Sequence, residues 1–120
     1  MTSTSTSVAL GSYVVGEVPP PLTYQFLDAD GTIINLTGFT IARFHWSDYV
    51  DGGVAVDPVA ELAAITNPSE GLVTYTWDGD EFATTGEHVG QFFVNDGTIQ
   101  YASILITWQV CTAIGVAPAV

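Results

Sequence analysis

Apolar and polar residues alternate with a period of two through most of the chain, in short runs closed off by Gly, Pro, Asn and Asp. No stretch longer than about ten residues carries an apolar stripe at helical spacing. Alternation of this kind sends successive side chains to opposite faces of a strand, so the pattern predicts an all-β protein. The predicted strands are Tyr13 to Val18, Leu22 to Leu27, Thr32 to Leu36, Phe39 to Trp46, Val59 to Ile65, Leu72 to Trp77, Glu87 to Val94 and Thr98 to Val110. About 7–8 short strands suit an antiparallel β-sandwich.

Turn chemistry supports this division. Asp28-Ala29-Asp30-Gly31 and Asn95-Asp96-Gly97 offer side chains that bond nearby backbone and a glycine that tolerates positive φ, as tight hairpins require. Ala60 to Ala64 holds good helix formers, but Pro58 and Pro68 leave a helix little room, and the segment is assigned as strand. Ile104, Ile106, Trp108 and Val110 share one face, as do Val73, Tyr75 and Trp77, and these two faces are expected to meet across the sandwich. Between Phe39 and Trp46 the phase breaks: Phe39 and Ile41 fall with Arg43 and His45, and Phe44 and Trp46 lie opposite. A bulge near Ala42 is the expected remedy.

With 120 residues there is room for one hydrophobic core, and 48% hydrophobic residues against 12% charged ones is too apolar for a disordered chain. No apolar run approaches a membrane span, and the Ser/Thr-rich start lacks the features of a secretory signal, so no membrane partner and synthesis in the cytoplasm are expected. Charge changes the picture most. Thirteen acidic residues face the single Arg43, for a net charge of -12. Phosphate backbones are bound by several Lys and Arg displacing counterions, so nucleic acid is excluded as a partner. The single Cys111 sits among Val110, Thr112, Ala113 and Ile114 and is expected to be a buried small hydrophobe.

The ends differ from the middle. Residues 1–19 read as an N-terminal arm, polar before Tyr13 and stiffened by Pro19, Pro20 and Pro21. Residues 20–110 form the sandwich, and residues 111–120 an uncharged C-terminal tail that a free monomer would rather not expose. Val8, Leu10 and Tyr13 of the arm, and Ile114, Val116 and Val120 of the tail, are the expected partner-binding residues.

Three blocks in order carry a resemblance: Phe26 to Ile41 with its D-x-D-G hairpin and L-T-G corner, Gly71 to Trp77 as a G-x-V-x-Y-x-W strand, and Gly86 to Val94 leading into the last hairpin. Over roughly residues 20 to 110 they resemble the immunoglobulin-like domain found at the N-terminus of phage baseplate upper proteins and in small phage virion proteins. His88 stands where such domains carry an aromatic, often Tyr, and the phase break at Arg43 is atypical of them. The resemblance implies an immunoglobulin-like sandwich used as a docking or spacer module in a virion.

Catalytic and metal motifs are wanting. The D-x-D-G at Asp28 is followed by the β-formers Thr32, Ile33 and Ile34, with no Glu at the twelfth position, and reads as a turn and not a calcium loop. Asp78, Asp80 and Glu81 could collect a divalent cation, but a solvated surface loop is the favoured reading. His45 and His88 lack spaced metal-ligating partners, and His88 is read as a hydrogen-bonding substitute for a core or edge aromatic. Ser103, His88 and Asp96 could be drawn as a triad, without a strained elbow to present the serine. No enzymatic activity, cofactor or metal is expected. The expected role is a structural virion protein, foremost a capsid decoration protein outside the head, partnered by the major capsid protein and naturally trimeric at local three-fold axes. The alternatives are a tail or baseplate accessory protein partnered by tail proteins, or a carbohydrate-binding module stacking sugars on Trp46, Tyr49 and Trp77.

Overall fold

The computed structural model describes residues 7–50, 53–54 and 58–112. It is an all-β sandwich. The strands are β1 (Ser7–Val14), β2 (Leu22–Gln25), β3 (Ile41–Val50), β4 (Gly53–Val54), β5 (Val59–Leu62), β6 (Ala64–Asn67), β7 (Leu72–Tyr75), β8 (Gly86–Asn95), β9 (Gln100–Ala102) and β10 (Leu105–Cys111), with short 3-10 turns at Pro68–Glu70 and Asp80–Phe82. Among the described residues the larger sheet runs β1-β10-β8-β3-β4, with β5 also on β3 and β9 also on β8, and the smaller one runs β2-β7-β6. All pairs are antiparallel except β1 with β10, which are parallel, so the larger sheet is mixed.

Alternation fills the space between the sheets. Ala42 and Phe44 from β3, Phe92 and Val94 from β8, and Ile106, Trp108 and Val110 from β10 face Val73 and Tyr75 of β7, with Phe26, Leu36, Trp77 and Phe82 completing the buried core. Phe44 is its centre. Its ring stacks on Tyr75 with centroids 4.5 Å apart and meets Phe92 at 4.9 Å and Trp77 at 5.7 Å. Burying such side chains contributes roughly 1.5–3 kcal/mol each, enough to hold a sandwich of this size without a disulfide or metal.

Both predicted hairpins form. Asp28 Oδ1 accepts from the Asp30 and Thr32 amides, and Asp96 Oδ1 from those of Thr98 and Ile99. Those two amide bonds hold the Asp96 carboxyl below the usual carboxylate range.

Five expectations are corrected. Residues 7–14, expected within a free arm, form a sheet strand: Leu10, Tyr13 and Val15 pack against the core, because a polar tract with an apolar residue every few positions still offers one buried side. Thr32 to Leu36 is not a strand but the return of a hairpin held by a single Leu27–Ile33 bridge. Val59 to Ile65 crosses between sheets at Ala63: β5 pairs with β3, and β6 with β7. No bulge occurs near Ala42; the β3–β8 ladder runs unbroken from Ile41 to Asp48, and the odd residues simply face outward. The irregularity lies instead at Ser103 and Ile104, between β9 and β10, where the Ser103 hydroxyl accepts from the Phe92 amide and its own amide donates back to Phe92. Cys111 is exposed, since inward-facing Val110 leaves its neighbour on the outer side.

Candidate functional site

Two polar constellations and one surface groove stand out once the core is accounted for. The first is acidic. Tyr75 in the core donates its hydroxyl to Glu81, whose side chain is fully buried and also accepts from the Gly79 amide at 3.0 Å and, more weakly, the Asp78 amide at 3.4 Å. The 3-10 turn after Gly79 tucks Glu81 beneath the sheet, and the same residue's carbonyl accepts the Trp108 indole N–H at 3.1 Å. Glu61 on β5 and Asp78 bring their carboxylate oxygens within 4.8 Å of each other and of Glu81.

These charges perturb one another. Burial, then a hydrogen bond with Asp78 and the neighbouring negative charges, raises the Glu61 carboxyl. The Asp80 amide foremost lowers that of Asp78. Glu61, Asp78 and Glu81 are the residues that could supply oxygens to a hard cation, and Glu81 already accepts from Tyr75 and two amides. The loop expected to be solvated therefore works as a staple between the Asp78 turn and the core. Asp80, grouped with it on sequence, lies outside the cluster and is exposed.

This staple has a measurable consequence at high pH. Burial, then the bond to Glu81 and its charge, pushes the Tyr75 hydroxyl far above the usual tyrosine range. In the unfolded chain it ionises near pH 10, so the stabilisation is complete below that pH and is lost above it. We expect stability to fall above about pH 10 by up to about 1.4 kcal/mol per pH unit from this group, and Tyr75→Phe to remove that component. Urea titrations at stepped pH check it; an unchanged slope in the variant would refute the assignment.

The second constellation surrounds His88, which is buried and stacks on Trp108 at 5.8 Å, the aromatic substitute expected from the sequence. Its Nε2 donates to the Thr84 carbonyl at 2.9 Å, and Asp48 Oδ1 lies 3.0 Å from Nδ1 without the alignment of a hydrogen bond. The paper triad is not assembled: the Ser103 hydroxyl bonds the Phe92 amide and the Ile104 carbonyl, and Asp96 caps its own hairpin.

Trp46 and Tyr49 do not form a sugar platform. They lie an odd number of residues apart on β3 and so face opposite sides of the sheet. Trp46 meets His88 edge-on at 6.2 Å, with its indole nitrogen enclosed and without a partner among the described residues, while Tyr49 is half-buried. Trp77 is in the core and donates to the Pro20 carbonyl. Of the expected partner-binding residues, Val8 is exposed, Leu10 is half-buried against the core, and Tyr13 packs edge-on against Phe82 at 5.0 Å. Ile114, Val116 and Val120 lie outside the described residues.

Compared with known proteins, the chain matches no family model and no curated sequence. Among the described residues, no helix is long and apolar enough to cross a membrane.

The groove is the feature that the sequence did not single out. On the outer face of the larger sheet, Ile41, Arg43 and His45 of β3 stand beside Phe93 and Asn95 of β8 and Gln100 of β9, around a hollow of about 480 Å³. A second hollow of about 130 Å³ continues from it past the shared His45 and Phe93 toward Trp46, Ser47 and Leu105. The signal was present in the phase break: an outward row containing the chain's only Arg next to apolar residues is a surface that water alone does not explain.

Proposed function

We propose that this chain is a non-catalytic structural protein of a bacteriophage virion, an immunoglobulin-like domain that decorates the outside of the head with the major capsid protein as its partner. The observation that carries the reading is the division of strands between the sheets. Taken in chain order, β2, β7 and β6 correspond to B, E and D of the immunoglobulin plan, and β10, β8 and β3 to G, F and C, with β4 and β5 as additions beside C. The three sequence blocks that resemble phage virion domains fall on the hairpin leading into β3, on β7 and on β8.

Two further features support the reading. The acidic surface suits an outward position away from packaged genome. The parallel pairing sets Ser7 opposite Leu105 and Val14 opposite Cys111, so the segment before Ser7 joins, and the segment after Thr112 departs, at opposite ends of one sheet edge. A domain anchored at two separated points can bridge neighbouring capsid subunits. Purified chain added to heads lacking it should bind to a saturating, stoichiometric level in co-sedimentation, and removal of residues 113–120 should weaken that binding. Absence of any association with heads would overturn the decoration role, and binding to isolated tails instead would reassign the domain there.

A further inference from the structure

The groove around Arg43 combines features that together specify an occupant. Its lining brings no carboxylate, although the chain holds thirteen acidic residues, and Arg43 is exposed with no carboxylate partner among the described residues. Arg43 pairs in register with Leu62 on one side and Phe93 on the other, and cross-strand partners share a face. Leu62 is 74% exposed and Ile41 42%, so the lone cation sits within an apolar, uncovered surround. The chemistry that fits it is a small protrusion with an apolar body and a carboxylate.

The same chain presents such a protrusion. Phe26 is buried and Ile34 half-buried, but every residue from Leu27 to Ile33 is exposed, making a knuckle that stands off the sandwich. Leu27 and Ile33 are bridge partners and present their side chains together, at 47% and 39% exposure. Asp28 Oδ1 is occupied by the turn, whereas the Asp30 side chain is exposed and takes no part in the hydrogen bonds of that turn. We propose that the Arg43 groove receives the Leu27–Ile33 knuckle of a second copy of this chain, with Asp30 of one copy paired to Arg43 of the other. The contact joins two different patches: exchanged reciprocally between two copies it makes an isologous dimer, and passed head to tail through successive copies it closes a heterologous ring. Each copy carries a charge of -12, so long-range repulsion opposes approach until salt screens it to a Debye length of about 8 Å or less.

The proposal stands without the virion reading, and its test uses the purified full chain alone. In sedimentation equilibrium at physiological salt or above, from micromolar to millimolar protein, the chain should associate reversibly. Arg43→Glu and Asp30→Arg are each expected to weaken that association by about tenfold or more, since each sets like charges face to face. Both positions are exposed, so unchanged near-ultraviolet circular dichroism shows the fold retained. Arg43→Glu and Asp30→Arg combined in one chain should restore association, as should mixing the two single variants, because reversed charges again meet. A wild-type chain that stays monomeric over the whole range, or association that neither single variant alters, overturns the proposal.

Discussion

Gly90→Ala should destabilise the protein by about 3 kcal/mol, a large effect for a single methyl group. Gly90 lies mid-strand in β8, where an added Cβ would come within 2.2 Å of Phe44 Cζ and 2.9 Å of Phe44 Cε1 and Cε2. A flexible side chain could yield. Phe44 cannot, because it is fully buried and held between Tyr75, Trp77, Phe92 and Trp108. The Gly here makes room for the ring that centres the core, and its backbone conformation has no part in the argument. Relief should come from the ring itself. Phe44→Ala alone costs about 3–5 kcal/mol by opening a cavity, but in the Gly90→Ala background the two losses should fall short of their sum, because the clash is gone. Urea unfolding of the four proteins measures this coupling. A Gly90→Ala protein within about 0.5 kcal/mol of wild type would show that the ring has space to move.

Glu81→Ala is the second large loss expected, again about 3 kcal/mol. The side chain is fully buried and serves the Tyr75 hydroxyl, the Gly79 amide and, more weakly, the Asp78 amide, and its removal leaves these donors without that acceptor. The orphaned Tyr75 hydroxyl, which is buried, costs about 1–3 kcal/mol, and the part-buried amides add less. Glu81→Gln keeps one acceptor oxygen but turns an amide toward groups that are themselves donors, so about half of the loss should remain. In a Tyr75→Phe background the loss from Glu81→Ala should shrink, since one orphan no longer exists. The same unfolding measurement decides it. Equal losses in the two backgrounds would mean that Tyr75 and Glu81 act independently.

These two residues mark the boundary of what could be read from the chain in one dimension. Glu81 stands in Asp78-Gly79-Asp80-Glu81, a run whose composition speaks for water. Nothing local distinguishes Glu81 from Asp80; a tyrosine hydroxyl six residues back, facing inward on β7, makes the difference. Gly90 likewise reads as one more strand-weakening glycine until Phe44 is seen lying over it. His88 was legible as a core or edge aromatic substitute because it stands where the resembled domains carry an aromatic, but its partners Thr84 and Asp48 were not, since Asp48 reaches it only across the β3–β8 ladder.

Local rules determined the all-β class, the two Asp-led hairpins and the inward faces of β7 and β10, because alternation and turn chemistry act over a few neighbouring residues. The acidic balance, and the expectation that follows from it that nucleic acid is not a partner, also needed nothing beyond composition. Tertiary structure alone decided that β1 joins the sheet beside β10, that the chain crosses between sheets at Ala63, that Glu81 is buried and that Arg43 lies in an apolar groove. Each of these depends on contacts between residues far apart in sequence, where the partner that satisfies a polar group or covers an apolar one carries no mark in the neighbouring residues.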